Sequence, residues 1–299
     1  MGETRPESWV PKFYNTITTK VDVWETDRNM NTQQSYDIRF ISDGCLFSAE
    51  DIVIGLCREK VVELAPRDEV GRFAIPINNF LFRRGADLVL IDAGAGNTMQ
   101  PSAGKLRESL AAATIAEADI THVVLTHLHP DHANGLIDDD LQAVYPNATL
   151  VIPEAELDFW LAADPGSEPE NVARNRRRTA INLAPYADRI VRAREGQEFV
   201  GLTPMLSAGH TPGHTVWFGE SGGRRFVAWG DLVHLAAVQI PYPDAAVVYD
   251  FDKAGAAASR KRLFDKLSVE DITILGAHLD SPGAGRLVRR GSSYAIAQA

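Results

Sequence analysis

A run of four potential metal ligands directly follows an apolar, β-branched segment near the middle of the chain. Residues 120–125 have the composition of a buried strand, and they lead into His127-Leu128-His129-Pro130-Asp131-His132. Neutral imidazoles suit zinc, cobalt, nickel and iron, and a carboxylate adds charge and a hard oxygen ligand. In a compact loop, His127 and His129 can face one ion while Asp131 and His132 reach a second. The motif therefore predicts a metal site at a strand end, against the alternative of a polar turn without metal.

This run cannot complete two metal sites alone, and further candidate ligands occur in the C-terminal half. His210 lies in a loop beside Gly209, Asp231 follows an apolar strand predicted at 225–230, and His278 follows a strand predicted at 272–275. Each stands at or near a glycine, which lets the backbone approach a metal closely. We predict that these three side chains complete the sites, with helix capping or core hydrogen bonds as the alternative. His122 and His214 are predicted to be structural.

Composition limits the class of protein. The 299 residues carry 30 Lys and Arg against 40 Asp and Glu, so the formal net charge is −10. This balance argues against a general nucleic-acid binder, which needs a basic face. Two cysteines are too few for a disulfide framework. Without a secretion signal or an apolar run of membrane-spanning length, we expect a cytoplasmic protein with no nucleic-acid or membrane partner.

The pattern of elements predicts an α/β fold with mixed sheets. Residues 1–35 are polar and are predicted to form an N-terminal arm before one domain at 36–299. Strands at 36–42 and 45–48 are expected to be joined by a tight turn at Asp43-Gly44. A helical insertion is predicted at about 154–195, with helices at 154–163 and 170–184. A last amphipathic helix is predicted at 253–267.

Taken together, these motifs resemble those of the metallo-β-lactamase superfamily, and within it the branch of methyl parathion hydrolases and quorum-quenching lactonases. The resemblance spans roughly residues 38–290. It is carried by THLHPDH at 126–132, DFWL at 158–161, GHTPGHT at 209–215, WGDLVHLAAV at 229–238 and AHLDSPGAG at 277–285. It implies an αβ/βα four-layer sandwich with two mixed sheets and a metal centre at one sheet edge.

The resemblance also implies a ligand set for two divalent metal ions, with zinc expected and cobalt, manganese or iron as alternatives. Carried over to this sequence, it assigns one ion to His127, His129 and His210, the other to Asp131, His132 and His278, and a bridging role to Asp231 and a hydroxide. Asp92 matches an early aspartate of the family and would hold a ligand histidine or its loop in place.

Hydrolysis by the bridging hydroxide is the reaction that the resemblance implies. Asp131 would take and return a proton during the reaction. Acyl-homoserine lactonases commonly have a tyrosine three residues after the bridging aspartate, where this chain has His234. We predict that His234 donates a hydrogen bond or shuttles a proton, with a purely structural role as the alternative.

The substrate is expected to be a small molecule, most simply a lactone or a carboxylic ester. The alternatives are a phosphotriester, as for methyl parathion hydrolase, then a thioester, β-lactam or phosphodiester, and lastly an iron redox protein or a non-catalytic relative.

Phe159 and Trp160 either pack in the core or form an aromatic side of the substrate pocket. The basic run at 174–178 is interpreted as a solvated helix face, or else as a site that attracts an anionic substrate. The arm is a candidate for packing on a second subunit in a homodimer.

Overall fold

The computed structural model describes residues 38–48, 52–65, 67–163 and 166–297. The arm predicted at residues 1–35 lies outside this part of the chain. Two six-stranded sheets form the centre of the fold. The first has the order β1-β3-β4-β5-β6-β7, with bounds β1 Ile38–Ser48, β3 Phe73–Arg84, β4 Asp87–Ile91, β5 His122–Val124, β6 Thr149–Pro153 and β7 Ile190–Ala193.

The second sheet has the order β14-β13-β12-β10-β9-β8. Its strands are β8 Leu202–Leu206, β9 Thr215–Ser221, β10 Arg224–Ala228, β12 Thr273–Leu275, β13 Ala284–Arg290 and β14 Ser293–Ala297. A separate short ladder joins β2 Val53–Ile54 to β11 Ala246–Val247. Both large sheets are mixed, since β4 to β7 run parallel in the first and β10 and β12 run parallel in the second.

Some helices cover the outer faces of the two sheets, and others lie in the connections between strands. Their bounds are α1 Arg58–Leu64, α2 Leu106–Ala112, α3 Pro130–Ala133, α4 Glu154–Leu161, α5 Glu170–Leu183, α6 Ala236–Gln239 and α7 Lys253–Leu267. The longest, α7, begins after Asp252, whose side chain accepts a hydrogen bond from the backbone N–H of Gly255. Among the described residues, no helix has the length and apolar character needed to cross a membrane.

Three apolar layers hold the sheets and helices together. Phe80, Val124 and Trp217 belong to the cluster between the two sheets. Leu110 on α2 lies in the cluster on the outer face of the first sheet, and Phe264 on α7 lies in that of the second. The order helix, sheet, sheet, helix confirms the predicted αβ/βα four-layer sandwich.

The structure differs from the sequence-based prediction in two segments. Asp43 and Gly44 do not form a hairpin turn; β1 continues through them with a bulge, and both halves pair with β3. The predicted helical insertion at 154–195 contains α4 and α5, but its last part is the edge strand β7, which pairs with β6. The run at 190–193 is short and half-exposed, so its sequence carries little strand periodicity.

The bulge brings the carboxylate of Asp43 into the interior, where it anchors two separate segments. It accepts backbone hydrogen bonds from Ala95, Gly104 and Leu106 at 2.8, 3.2 and 2.8 Å. Burial raises the pKa of Asp43 to about 7, although the backbone donors oppose this shift. Asp43 therefore fastens the start of α2 and the glycine-rich loop after β4 to the first sheet.

Replacing Asp43 by alanine is expected to lower the free energy of unfolding by about 3 kcal/mol. The substitution leaves three backbone N–H groups without their acceptor, and each buried unsatisfied donor costs about 1–3 kcal/mol, part of which water recovers. Equilibrium urea unfolding measures the difference, with the exposed Asp139 replaced by alanine as the control. Equal unfolding midpoints for the two variants would rule out this anchoring role.

Candidate metal centre

The loops that follow the carboxyl ends of β5, β10 and β12, together with the loop between β8 and β9, meet at one edge of the two sheets. Each brings imidazole or carboxylate side chains to this edge. The structure thus brings together all seven predicted metal ligands, His127, His129, Asp131, His132, His210, Asp231 and His278. They form two groups that share Asp231.

The first group consists of His127, His129, His210 and Asp231, with one ligand atom from each lying within 4.8 Å of the others. Nδ1 of His129 is 2.8 Å from Nε2 of His210. Nε2 of His210 is in turn 3.2 Å from Oδ2 of Asp231, and Nε2 of His127 is 3.7 Å from the same oxygen. Three imidazole nitrogens and one carboxylate oxygen thus face a common point.

The second group consists of Asp131, His132, Asp231 and His278, again within 4.8 Å. Nε2 of His132 and Nε2 of His278 lie 2.9 and 3.1 Å from Oδ1 of Asp231. Both nitrogens are also 3.6 Å from Oδ2 of Asp131. Asp231 therefore directs one carboxylate oxygen to each group, which is the geometry that a bridging ligand needs.

The ligand atoms of the two groups are placed to bind a pair of divalent cations rather than to hydrogen-bond with one another. Nε2 of His127, His132 and His278 and Oδ1 of Asp231 are buried and have no hydrogen-bond partner. Buried polar atoms without a partner are costly and call for an explanation such as an ion. Imidazole nitrogen and carboxylate oxygen are ordinary ligands of zinc and similar metals.

Protonation within the cluster follows from burial and from Asp231. Burial holds the pKa of His127 and of His129 well below the usual 6.5, so both rings are neutral at pH 7. Burial also acts on His132, but the carboxylates of Asp231 and Asp131 outweigh it and raise its pKa well above 6.5. Burial alone would raise the pKa of Asp231, yet the surrounding histidines, His132 foremost, hold it well below the usual 3.8. Asp231 is therefore a carboxylate.

Asp92 holds the loop after β5 and one of its histidines. Nδ1–H of His132 donates to Oδ2 of Asp92 at 2.8 Å, which leaves Nε2 to face Asp231 and Asp131. The backbone N–H and the hydroxyl of Thr126 donate to the same carboxylate. Asp92 adopts a positive φ of 61°, which aspartate tolerates better than most residues. The structure thus places Asp92 against a candidate ligand, His132.

Asp250 contacts a histidine of the cluster from outside, and it was not predicted from the sequence. Nδ1–H of His210 donates to Oδ1 of Asp250 at 3.0 Å, and this fixes the ring with Nε2 toward Asp231. The third imidazole held in this way is His278, whose Nδ1–H donates to the carbonyl of Pro76. Asp250 lies in a loop between two aromatic residues, and no spacing in the sequence connects it to His210.

His214 holds Asp231 from behind rather than facing the cluster. Burial lowers the pKa of His214 to about 3, so the ring is neutral. Its Nδ1–H donates to the carbonyl of Ser207, and its Nε2 accepts the backbone N–H of Asp231 at 3.0 Å. Gly230 makes this approach possible, because a Cβ there would lie 2.7 Å from Nε2 of His214 and its φ is +52°.

His234 lies inside the cluster, beside Asp231. Its Nε2 is 3.0 Å from Oδ2 of Asp231, its ring stacks on His278 at 5.1 Å, and its Nδ1 has no hydrogen-bond partner. The backbone N–H of His234 donates to Oε1 of the buried Gln239, which fixes the loop. A nitrogen of His234 therefore lies beside the carboxylate that both candidate groups share.

An aromatic wall, formed by Phe159, Trp160 and Phe251, borders the first group. Phe251 stacks on His129 with ring centroids 6.3 Å apart and packs edge-on against Phe159 at 5.2 Å. Of the two roles predicted for Trp160, the structure shows core packing: the side chain is fully buried and supports this wall from behind. Phe251 is 40% exposed and was not singled out from the sequence, where it lies in a loop without periodicity.

The basic run at 174–178 is not uniformly solvated. Arg176 is buried, forms an ion pair with Glu168 and donates to the backbone carbonyls of Phe159 and Ala162. Its guanidinium also lies over the ring of Phe159, 5.1 Å from the centroid. The residue fastens α5 to the end of α4 and is not available to an anionic substrate. Arg177, by contrast, is exposed and pairs with Glu170.

Comparison with known proteins agrees with this geometry. The family model of the metallo-beta-lactamase superfamily matches residues 72–278. A curated relative, the probable metallo-hydrolase YqjP of Bacillus subtilis (strain 168), is 29% identical over 218 residues, which is 68% of this chain. The match spans 65% of the length of YqjP.

Two solved structures show the same fold along most of the chain. The hydrolase AbOPH of the beta lactamase superfamily has a TM-score of 0.83 at 30% identity, covering 88% of this chain and 94% of AbOPH. AidC, a dizinc quorum-quenching lactonase solved with the product N-hexanoyl-L-homoserine, has a TM-score of 0.78 at 25% identity, covering 89% of this chain and 95% of AidC.

Proposed function

Because the chain belongs to the metallo-beta-lactamase superfamily, we propose that it is a binuclear metal-dependent hydrolase that acts on lactones or carboxylic esters. The observation that carries this proposal is the placement of Asp231. Its two carboxylate oxygens face two separate groups of histidines, so one side chain serves both metal positions. Zinc is the metal we propose.

The proposed chemistry needs only the residues of this edge and two cations. Divalent ions held there supply Lewis acidity and a hydroxide nucleophile at neutral pH. Asp131, whose side chain is 13% exposed, would accept the proton of the attacking hydroxide as the new C–O bond forms and return it to the leaving oxygen as the old C–O bond breaks. His234 donates a hydrogen bond to the oxygen of the attacked carbonyl. Asp92, Asp250 and the carbonyl of Pro76 keep three of the imidazoles in the orientation that ligation requires.

Two observations support a lactone or ester as the substrate. AidC acts on a lactone, and its likeness covers 89% of this chain. The aromatic wall lies beside His129 and gives an apolar acyl group a surface next to the reacting centre. The same wall also favours a second candidate, an aryl phosphotriester, because offset and edge-on ring contacts stabilise an aryl leaving group.

A panel of γ-lactones, aryl esters and dimethyl aryl phosphates tests the proposal on the zinc-loaded protein. We expect kcat/KM to be highest for a lactone or an ester with an apolar acyl group. A marked preference for the phosphotriesters would replace the first candidate by the second. If the zinc-loaded protein hydrolysed none of the three classes, both candidate functions would be contradicted.

Replacing Phe251 by alanine is expected to raise KM about tenfold for substrates with a long apolar group, with kcat little changed. The exposed ring contributes contact area rather than chemistry, and losing roughly half of a buried side chain's transfer free energy gives a factor of this size. A γ-lactone without an acyl chain is the internal control, since its KM depends less on this contact. An unchanged KM for long-chain substrates would show that the wall does not bind them.

A further inference from the structure

One buried carboxylate near the cluster has no role in the site as described so far: it is not a candidate metal ligand, and it does not hold a ligand histidine. Glu156, in the first turn of α4, is 0% exposed. It accepts four hydrogen bonds, all from uncharged donors. Burial raises its pKa, and these donors oppose the shift. A carboxylate is expensive to bury, so the four donors must stabilise its charged form.

Three of the four donors belong to the two loops that carry the three histidines of the first ligand group. The backbone N–H of Leu128, between His127 and His129, donates to Oε1 at 3.0 Å. The hydroxyl of Thr211, next to His210, donates to Oε2 at 2.7 Å, and the backbone N–H of Gly213 donates to the same oxygen at 3.0 Å. One side chain thus joins the loop after β5 to the loop between β8 and β9.

The fourth donor comes from the aromatic wall. Nε1–H of Trp160 donates to Oε1 of Glu156 at 2.6 Å, and the ring of Trp160 packs edge-on against His129. The second loop also lies directly on α4, since a Cβ at Gly213 would be 2.1 Å from the backbone nitrogen of Glu156. The absence of a side chain at Gly213 is therefore required for this contact.

We propose that Glu156 is a positioning residue that sets the spacing of the two loops and thereby the affinity of the first metal position, formed by His127, His129 and His210. The second position depends on other partners, since Asp92 holds His132 and the carbonyl of Pro76 holds His278. The inference rests on the proposed binuclear site. It adds that Glu156 acts mainly on one of the two positions.

Glu156→Gln tests this with almost no change in shape. Each carboxylate oxygen accepts two donors, so an amide NH₂ in either position meets two N–H or O–H groups in place of an acceptor. Glu154→Gln is the matched control, because Glu154 lies on the same helix but pairs with Arg192 and Arg194 at the surface. The full-length proteins are loaded with Zn²⁺ and equilibrated with graded concentrations of a chelator, and bound zinc is counted.

We expect wild type and Glu154→Gln to hold two zinc ions with the same pair of affinities. In Glu156→Gln, one affinity should fall about tenfold or more while the other is unchanged, since outer partners of metal ligands are worth about 10–100-fold in affinity. Two unchanged affinities, or an equal fall in both, would overturn the inference. A wild type that holds no zinc would instead contradict the proposed function.

Should Glu156→Gln fail to fold by far-UV circular dichroism, Thr211→Val decides the question. This variant keeps the buried carboxylate and removes only the donor at 2.7 Å. A fall of about threefold or more at one zinc position supports the inference, in line with the loss of one charge-assisted hydrogen bond. Wild-type affinity at both positions overturns it.

Discussion

Asp231→Ala is expected to lose at least one of two bound metal ions per chain and to lower kcat/KM by about 10³-fold or more. Asp231 is the one residue shared by both ligand groups, and each of its oxygens lies about 3 Å from imidazole nitrogens. Removing it takes a ligand from both positions and leaves buried histidines without their carboxylate. A 10³-fold loss corresponds to about 4 kcal/mol of transition-state stabilisation, which is within the range that a catalytic metal supplies.

Metal analysis of the purified variant and initial rates on the best lactone or ester measure both effects. Asp271→Ala is the matched control, because this aspartate is 84% exposed and pairs only at the surface with Arg286. The control should retain the metal content and rate of the wild type. If Asp231→Ala kept two metal ions and the full rate, Asp231 would not be a bridging ligand.

His234→Phe is expected to lower kcat by about 10²–10⁴-fold while both metal ions remain bound. This size is typical of the loss of a group that donates a hydrogen bond or a proton in the transition state. The ring of His234 lies beside Asp231 and stacks on His278, so phenylalanine retains the packing and loses the nitrogen. The expected split, in which metal content is kept and kcat is lost, separates a catalytic role from ligation.

His234→Tyr provides the counterpart, since tyrosine adds a hydroxyl donor to the same ring shape. It should recover part of the lactone hydrolysis that His234→Phe loses, and its metal content should match that of the wild type. Loss of one metal ion in both variants would assign His234 to the ligands instead. Equal rates for both variants and the wild type would leave His234 with a structural role only.

The candidate ligands were predictable because they follow strands whose sequences are distinctive. Residues 120–125 are apolar and β-branched, and β5 at His122–Val124 ends just before His127. Asp231 and His278 likewise follow the buried strands β10 and β12. The end of a strand fixes the positions of the side chains that directly follow it. Ligands that are close in sequence after a strand end are therefore also close in space.

Asp92 was predicted from the resemblance, but Asp250 and Glu156 were not predictable, because each meets the site only through tertiary contacts. Asp250 and Glu156 stand 40 and 55 residues from His210 and Thr211, the residues they contact.

Asp43-Gly44 has the composition of a hairpin turn, yet the Asp43 carboxylate accepts hydrogen bonds from three distant backbone N–H groups, and the strand bulges instead. Arg176 stands in a charged run that suggests solvent, but its partners Glu168 and the Phe159 carbonyl bury it.

The number of metal ions that the chain needs for hydrolysis tests the central claim most directly. The purified protein is stripped by dialysis against a chelator, and activity and bound metal are then followed as Zn²⁺ is added back. The two-group geometry around Asp231 predicts that activity disappears on stripping and returns as two ions bind per chain. Full hydrolytic activity in the metal-free protein would contradict it.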